Sequence, residues 1–174
     1  MCPPFFVRFL LLISQLMNSH KIIVLYGRGN LGKTRTLRMV IDILNGEPIS
    51  YTTNDAQTIC HYNDKTIAVA TKGDNAAELR ANVSYFKSHP CDIAITAARS
   101  RGGTHDVIKA YAQETGAEVV WIYKRAEAGD ENAVNLKWAE RVVETAIMES
   151  HKSNRIRGTW RRVVETAISN LCSE

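Results

Sequence analysis

Cysteine is scarce and scattered. Cys2, Cys60, Cys91 and Cys172 stand far apart, no C-x-x-C pair occurs, and the five histidines form no metal-spaced cluster. Zinc-ligand spacing is therefore missing, and thiols placed this way are expected to be reduced, in a cytoplasmic protein. Long apolar runs are also missing. Phe5 to Met17 covers only 13 residues and contains Arg8, whereas a bilayer span needs about 20. It lacks the positive n-region and the A-x-A-like site of a secretion signal, so no membrane partner is expected. Residues 1–19 read as an apolar extension, and Met17, five residues ahead of Ile22, is a candidate natural start. Nor is charge of one sign in large excess: a net +4 argues only weakly for polyanionic partners. What remains is an ordinary composition, 45% hydrophobic and 23% charged over 174 residues, which suits one domain with a substantial core.

The informative stretch is residues 21–34, Lys-Ile-Ile-Val-Leu-Tyr-Gly-Arg-Gly-Asn-Leu-Gly-Lys-Thr. Gly27, Arg28, Gly29, Asn30, Leu31, Gly32, Lys33 and Thr34 fill the pattern G-x-x-x-x-G-K-[ST]. The glycines let the backbone turn tightly, so that loop N–H groups form a concave anion nest. That nest opens onto a helix N-terminus, which favours phosphate. Lys33 is placed to meet β- and γ-phosphates, and Thr34 to offer a hydroxyl to Mg²⁺. The flanks agree. Ile22 to Tyr26 is a continuous apolar run, the pattern of a buried parallel strand. Leu37, Val40, Ile41 and Leu44 then line one helix face, and Asn45-Gly46 supplies a stop.

On these residues the chain resembles the P-loop (Walker A) NTPase superfamily over about residues 20–124. The likeness is nearest to small ATP-binding and kinase-like P-loop proteins. The resemblance implies a nucleotide, ATP with Mg²⁺, as the ligand.

Further along, Pro48 to Thr53 is a candidate short strand, and Gln57–Tyr62 with Lys65–Thr71 reads as a hairpin across Asn63-Asp64. Asn75 and Glu78 form a capping box ahead of a helix with Leu79, Val83 and Phe86 inward, stopped by Pro90. Asp92–Ala97 is the next strand. Thr104 is the expected cap of a helix that buries Val107, Ile108, Tyr111 and Ala112 and ends at Gly116. Glu118–Tyr123 is the last strand. Alternating strands and helices predict an α/β three-layer sandwich with a mostly parallel sheet, followed by C-terminal helices over residues 131–174. Val-Val-Glu-Thr-Ala-Ile occurs at 142–147 and again at 163–168, the mark of a local duplication. Between the copies, the basic segment 152–162 is a candidate nucleic-acid contact or a solvated turn.

Ligands of open α/β sheets sit at the carboxyl ends of the strands. Asp74, following the strand that ends near Thr71, is the candidate Mg²⁺ carboxylate, or a general base toward an acceptor hydroxyl. Arg99 and Arg101 are candidates for clamping a transferring phosphate or for holding an anionic substrate. Lys33, Asp74, Arg99 and Arg101 thus make the expected catalytic set, with Thr34 and Asp74 on the metal. A second reading exists. Thr71-Lys72-Gly73-Asp74 fits [NT]-K-x-D, a guanine-reading motif, and Thr96-Ala97-Ala98 resembles its companion loop. A D-x-x-G switch between the two motifs is missing, which weighs against GTP. The expected function is a P-loop ATPase or small kinase-like phosphotransferase acting on an unknown phosphate acceptor. The alternatives are a GTP-binding protein and a non-catalytic, nucleotide-gated module with a protein partner.

Overall fold

Ile22, Ile23, Val24 and Leu25 are all fully buried. Strand β1, Lys21–Gly27, runs inside the sheet with parallel neighbours on both edges, and all of it but the partly buried Tyr26 is buried. The computed structural model describes residues 20–148. Nearly all of them belong to the compact unit Ser19–Glu144; a second unit comprises Met1–Asn18 and Thr145–Glu174. The apolar extension, the second hexapeptide copy and the basic segment 152–162 lie outside the described residues.

After β1 come helix α1 (Lys33–Asn45), strands β2 (Gln57–Tyr62) and β3 (Lys65–Ala70), helix α2 (Ala76–Ser88), strand β4 (Ile93–Arg99), helix α3 (Thr104–Thr115) and strand β5 (Glu118–Tyr123). A further helix, α4, runs over residues 131–148. The strand order is β2-β3-β4-β1-β5, parallel except for β2, which forms an antiparallel hairpin with β3. The protein is an α/β three-layer sandwich. On one face Ile22, Val24, Ala68, Ala70, Ala94 and Ala98 meet Leu79 and Phe86 of α2 and Ile108 and Tyr111 of α3. The period of two sends the intervening residues Ile23, Leu25, Ile67, Val69, Ile95 and Ala97, also buried, to the face covered by α1.

Most local signals are realised. Leu37, Val40, Ile41 and Leu44 are buried, and Gly46 ends α1 in the left-handed conformation. The hairpin turns at Asn63, φ 51°. Asn75 caps α2 by accepting from the Glu78 amide at 2.9 Å, while the Glu78 carboxylate reaches back one residue further than a capping box requires, to the Asp74 amide. Three expectations need correcting. Residues 48–53 are irregular, not a strand; the segment is fixed instead by Asp42, whose carboxylate accepts from the Ser50 amide and hydroxyl. Gly103, not Thr104, is the N-cap of α3, because the Thr104 hydroxyl donates to the Arg99 carbonyl at 2.9 Å. Thr96-Ala97-Ala98 lies inside β4, paired with β1 and β3, and is not a loop.

Topology now positions the site. Because β4 inserts between β1 and β3, the strand ends at Gly27 and Ala70 are not neighbours, and Arg99 emerges between them.

Candidate functional site

The segment from Gly27 to Thr34 leaves the carboxyl end of β1 and enters α1 at Lys33. Gly32 has φ 68°, and an added Cβ would lie 2.6 Å from the Asn135 side-chain oxygen of α4, so both backbone conformation and space require glycine there. Asn30, φ 58°, supplies a second left-handed residue. The Lys33 side chain curls back under the loop, and Nζ donates to the carbonyls of Arg28 at 2.8 Å and Gly27 at 3.4 Å. It is buried, and burial pushes its pKa down; the Asp74 carboxylate opposes that shift and the Arg99 charge adds to it.

The segment after β3 reaches the same place. Thr71 is buried, with its hydroxyl accepting from the Ala56 amide at 2.8 Å, and Lys72 pairs with Asp55 at 3.4 Å. Gly73 presses on β4, where an added Cβ would lie 1.9 Å from the Ala97 carbonyl oxygen. That close approach delivers Asp74 to the loop. Its carboxylate accepts from Arg99 Nε at 3.1 Å, and this hydrogen bond is the main cause that holds its pKa below the usual carboxylate range. Burial opposes the shift, and the Arg99 and Lys33 charges reinforce it.

A cavity of about 220 Å³ is lined by Asn30, Lys33, Thr34, Thr71, Asp74 and Glu131 among others. Lys33, Thr34 and Asp74 are thus brought together. Arg28, Gly29, Arg99 and Arg101, with Ser100, line a separate cavity of about 380 Å³. Hence the residues read as one catalytic set fall into two adjoining groups, joined by the Asp74–Arg99 ion pair. Among the described residues, no group of three or more His, Cys, Asp or Glu side chains could hold a metal ion unaided. The oxygen donors Thr34, Asp74 and Glu131 in the first cavity fit a hard cation that keeps water and phosphate among its ligands, as Mg²⁺ does.

One polar group beneath the loop escaped sequence reasoning. Lys124, just past β5, is 1% exposed, and its amine donates to Thr36 Oγ1 and Asn135 Oδ1. Thr36 also donates to Asn135 Oδ1 at 3.2 Å. Burial is the largest cause lowering the Lys124 pKa, to about 8, and the Lys33 charge adds to it. The first turn of α4 also holds Arg35 of α1, through Asn132 at 3.3 Å and Glu131 at 3.0 Å. Lys124 follows an apolar strand and precedes Arg125, which in sequence is the pattern of a solvated strand end.

Comparison with family models, with curated proteins and with solved structures finds no match. No helix among the described residues is long and apolar enough to cross a membrane.

Proposed function

We propose that the chain is a P-loop nucleotide-binding protein that takes ATP with Mg²⁺ and hydrolyses it or passes its γ-phosphate to an acceptor. One observation carries the reading: a buried lysine amine, satisfied among the described residues by carbonyls of its own glycine-rich loop, shares a cavity with Thr34 and Asp74. A buried ammonium is costly unless it is paired. Phosphate oxygens are the partners that this pocket of donors suits. In the proposed roles, the loop amides and Lys33 bind phosphate, and Thr34 and Asp74 hold the metal, which would supply charge neutralisation for the leaving phosphate. Arg99 orients Asp74 and keeps it ionised. The Arg99 hydrogen bond lowers the carboxyl's affinity for a proton, which favours the metal role of Asp74 over general base.

The same placement weighs against guanine reading. Asp74 lines the cavity with Lys33 and Thr34, the phosphate end, and about 220 Å³ is below the roughly 300–1,000 Å³ of pockets that enclose whole small ligands. A base would lie outside it. The test is Mg²⁺·ATP and Mg²⁺·GTP binding by calorimetry to the wild-type chain and to Lys33→Ala. Loss of nucleotide binding with an intact circular dichroism spectrum is expected. Equal affinity in the two proteins rejects the assignment.

A further inference from the structure

The basic cavity beside the loop has a composition that the nucleotide reading does not explain. Arg28, Arg99 and Arg101 line it with Gly29 and Ser100, and no carboxylate is in its wall. It shares no lining residue with the cavity of Lys33 and Thr34. Several cations elsewhere in the fold are paired, Lys21 with Glu118, Arg35 with Glu131, Lys65 with Asp92 and Lys87 with Glu114, whereas here three arginines line one cavity. Here Arg99 is held by Asp74 through Nε, and its guanidinium covers Gly29, where an added Cβ would lie 3.4 Å from Nη2. Arg28 and Arg101 have no ion pair or side-chain hydrogen bond among the described residues, although both are exposed at the same wall. Arg28 and Arg101 give this wall positive charge beyond the Arg99–Asp74 pair. The arrangement becomes favourable when an anion sits among them, and the planar fork of arginine matches phosphate and carboxylate oxygens two at a time.

We propose that this cavity is the subsite of a second ligand, a small molecule carrying a phosphate or carboxylate group. Its volume, about 380 Å³, is that of a pocket for a small molecule. Arg99 joins the two cavities, since it lines one and fixes the carboxylate that lines the other. That the ligand is a co-substrate, standing next to the nucleotide's phosphates, rests on the nucleotide reading; the anion subsite itself does not.

The experiment uses the full chain, with inorganic phosphate and succinate as probes, titrated by calorimetry with and without saturating Mg²⁺·ADP. Arg101→Ala is expected to weaken the better-bound probe roughly tenfold, the usual effect of removing one charge-assisted contact, while the Kd for Mg²⁺·ADP stays within about twofold. With Mg²⁺·ADP omitted, Lys33→Ala is expected to keep the Arg101-dependent part of probe binding. Whichever probe binds more tightly names the head group. Three results overturn the proposal. One is equal probe affinity in Arg101→Ala and wild type. Another is loss of the Arg101-dependent binding in Lys33→Ala, which would place that anion on the loop. The third is Arg101-dependent binding of a single-stranded oligonucleotide with neither small anion bound, which would make this a nucleic-acid face. If wild type binds a probe through Arg101 but does not bind Mg²⁺·ADP, the nucleotide reading fails and the subsite stands.

Discussion

Arg99 Nε lies 3.1 Å from Asp74 Oδ1, so the side chain at the end of β4 grips the one that follows β3. Both partners are about half exposed, so the pair is screened by water and holds the fold together only weakly. Its effect is positional. It keeps Asp74 ionised and points it toward the cavity of Lys33 and Thr34.

Asp74→Asn should separate metal from fold. Asparagine keeps the shape and can still accept from Arg99, but it loses the charge that holds a divalent cation. Mg²⁺-dependent nucleotide affinity should fall at least tenfold, while the melting temperature moves by no more than about 3 °C. Titrating Mg²⁺ at fixed ATP, next to a thermal melt, reads both quantities. A change in the melt alone would make Asp74 structural. Loss of GTP binding with ATP binding intact would restore the guanine reading.

Gly73→Ala should damage both. The new methyl would lie 1.9 Å from the Ala97 carbonyl oxygen, a backbone atom of an interior strand that has no room to yield. Overpacking of this kind costs about 1–3 kcal/mol, and the displaced turn should carry Asp74 away from the loop. Urea unfolding and Mg²⁺·ATP affinity are expected to worsen together. Wild-type stability in this variant would mean that the contact relaxes freely.

Local chemistry made the elements legible in sequence. The unbroken apolar run at Ile22–Leu25, the left-handed glycines at Gly46 and Gly116, and the Asn63-Asp64 turn each act through the residue itself or its near neighbours. The cap of α3 failed because Thr104 has two acceptable uses, and the nearby Arg99 carbonyl won. Thr96-Ala97-Ala98 matched the companion loop of the guanine motif only in residue types, which equally suit the end of the Asp92–Ala97 strand, with helices packed on both faces. Strand order was not legible, since the insertion of β4 between β1 and β3 depends on contacts far apart in sequence. For the same reason the division of Lys33 and Arg101 between two cavities could not be foreseen. Lys124 was the least visible: its burial depends on Thr36 and Asn135, which are 88 and 11 residues away.

That buried amine gives the last prediction. Lys124 has its pKa lowered to about 8, against an ordinary value of 10.5 in the unfolded chain. Between those values the unfolded chain holds a proton that the folded one has released. Stability from this group therefore rises with pH, beginning near pH 8 and levelling off above 10.5. Below pH 8 both states are protonated and the folded state bears the full cost of a buried ammonium. Lys33, whose pKa burial also lowers, adds its own pH dependence, so the difference between wild type and Lys124→Met isolates the effect. Methionine keeps the unbranched stem and removes the charge. Relative to that variant, wild type should gain at most about 2 kcal/mol between pH 7.5 and 9.5, measured by urea unfolding at each pH. At pH 7 the variant should stay folded, and it tests a second consequence: Lys124 and Asn135 brace Thr36 beneath the loop, so nucleotide affinity should fall even though neither Lys124 nor Asn135 lines the cavity. A difference curve flat from pH 7.5 to 9.5 would show that the amine stays protonated throughout, held as an ammonium by Thr36 and Asn135.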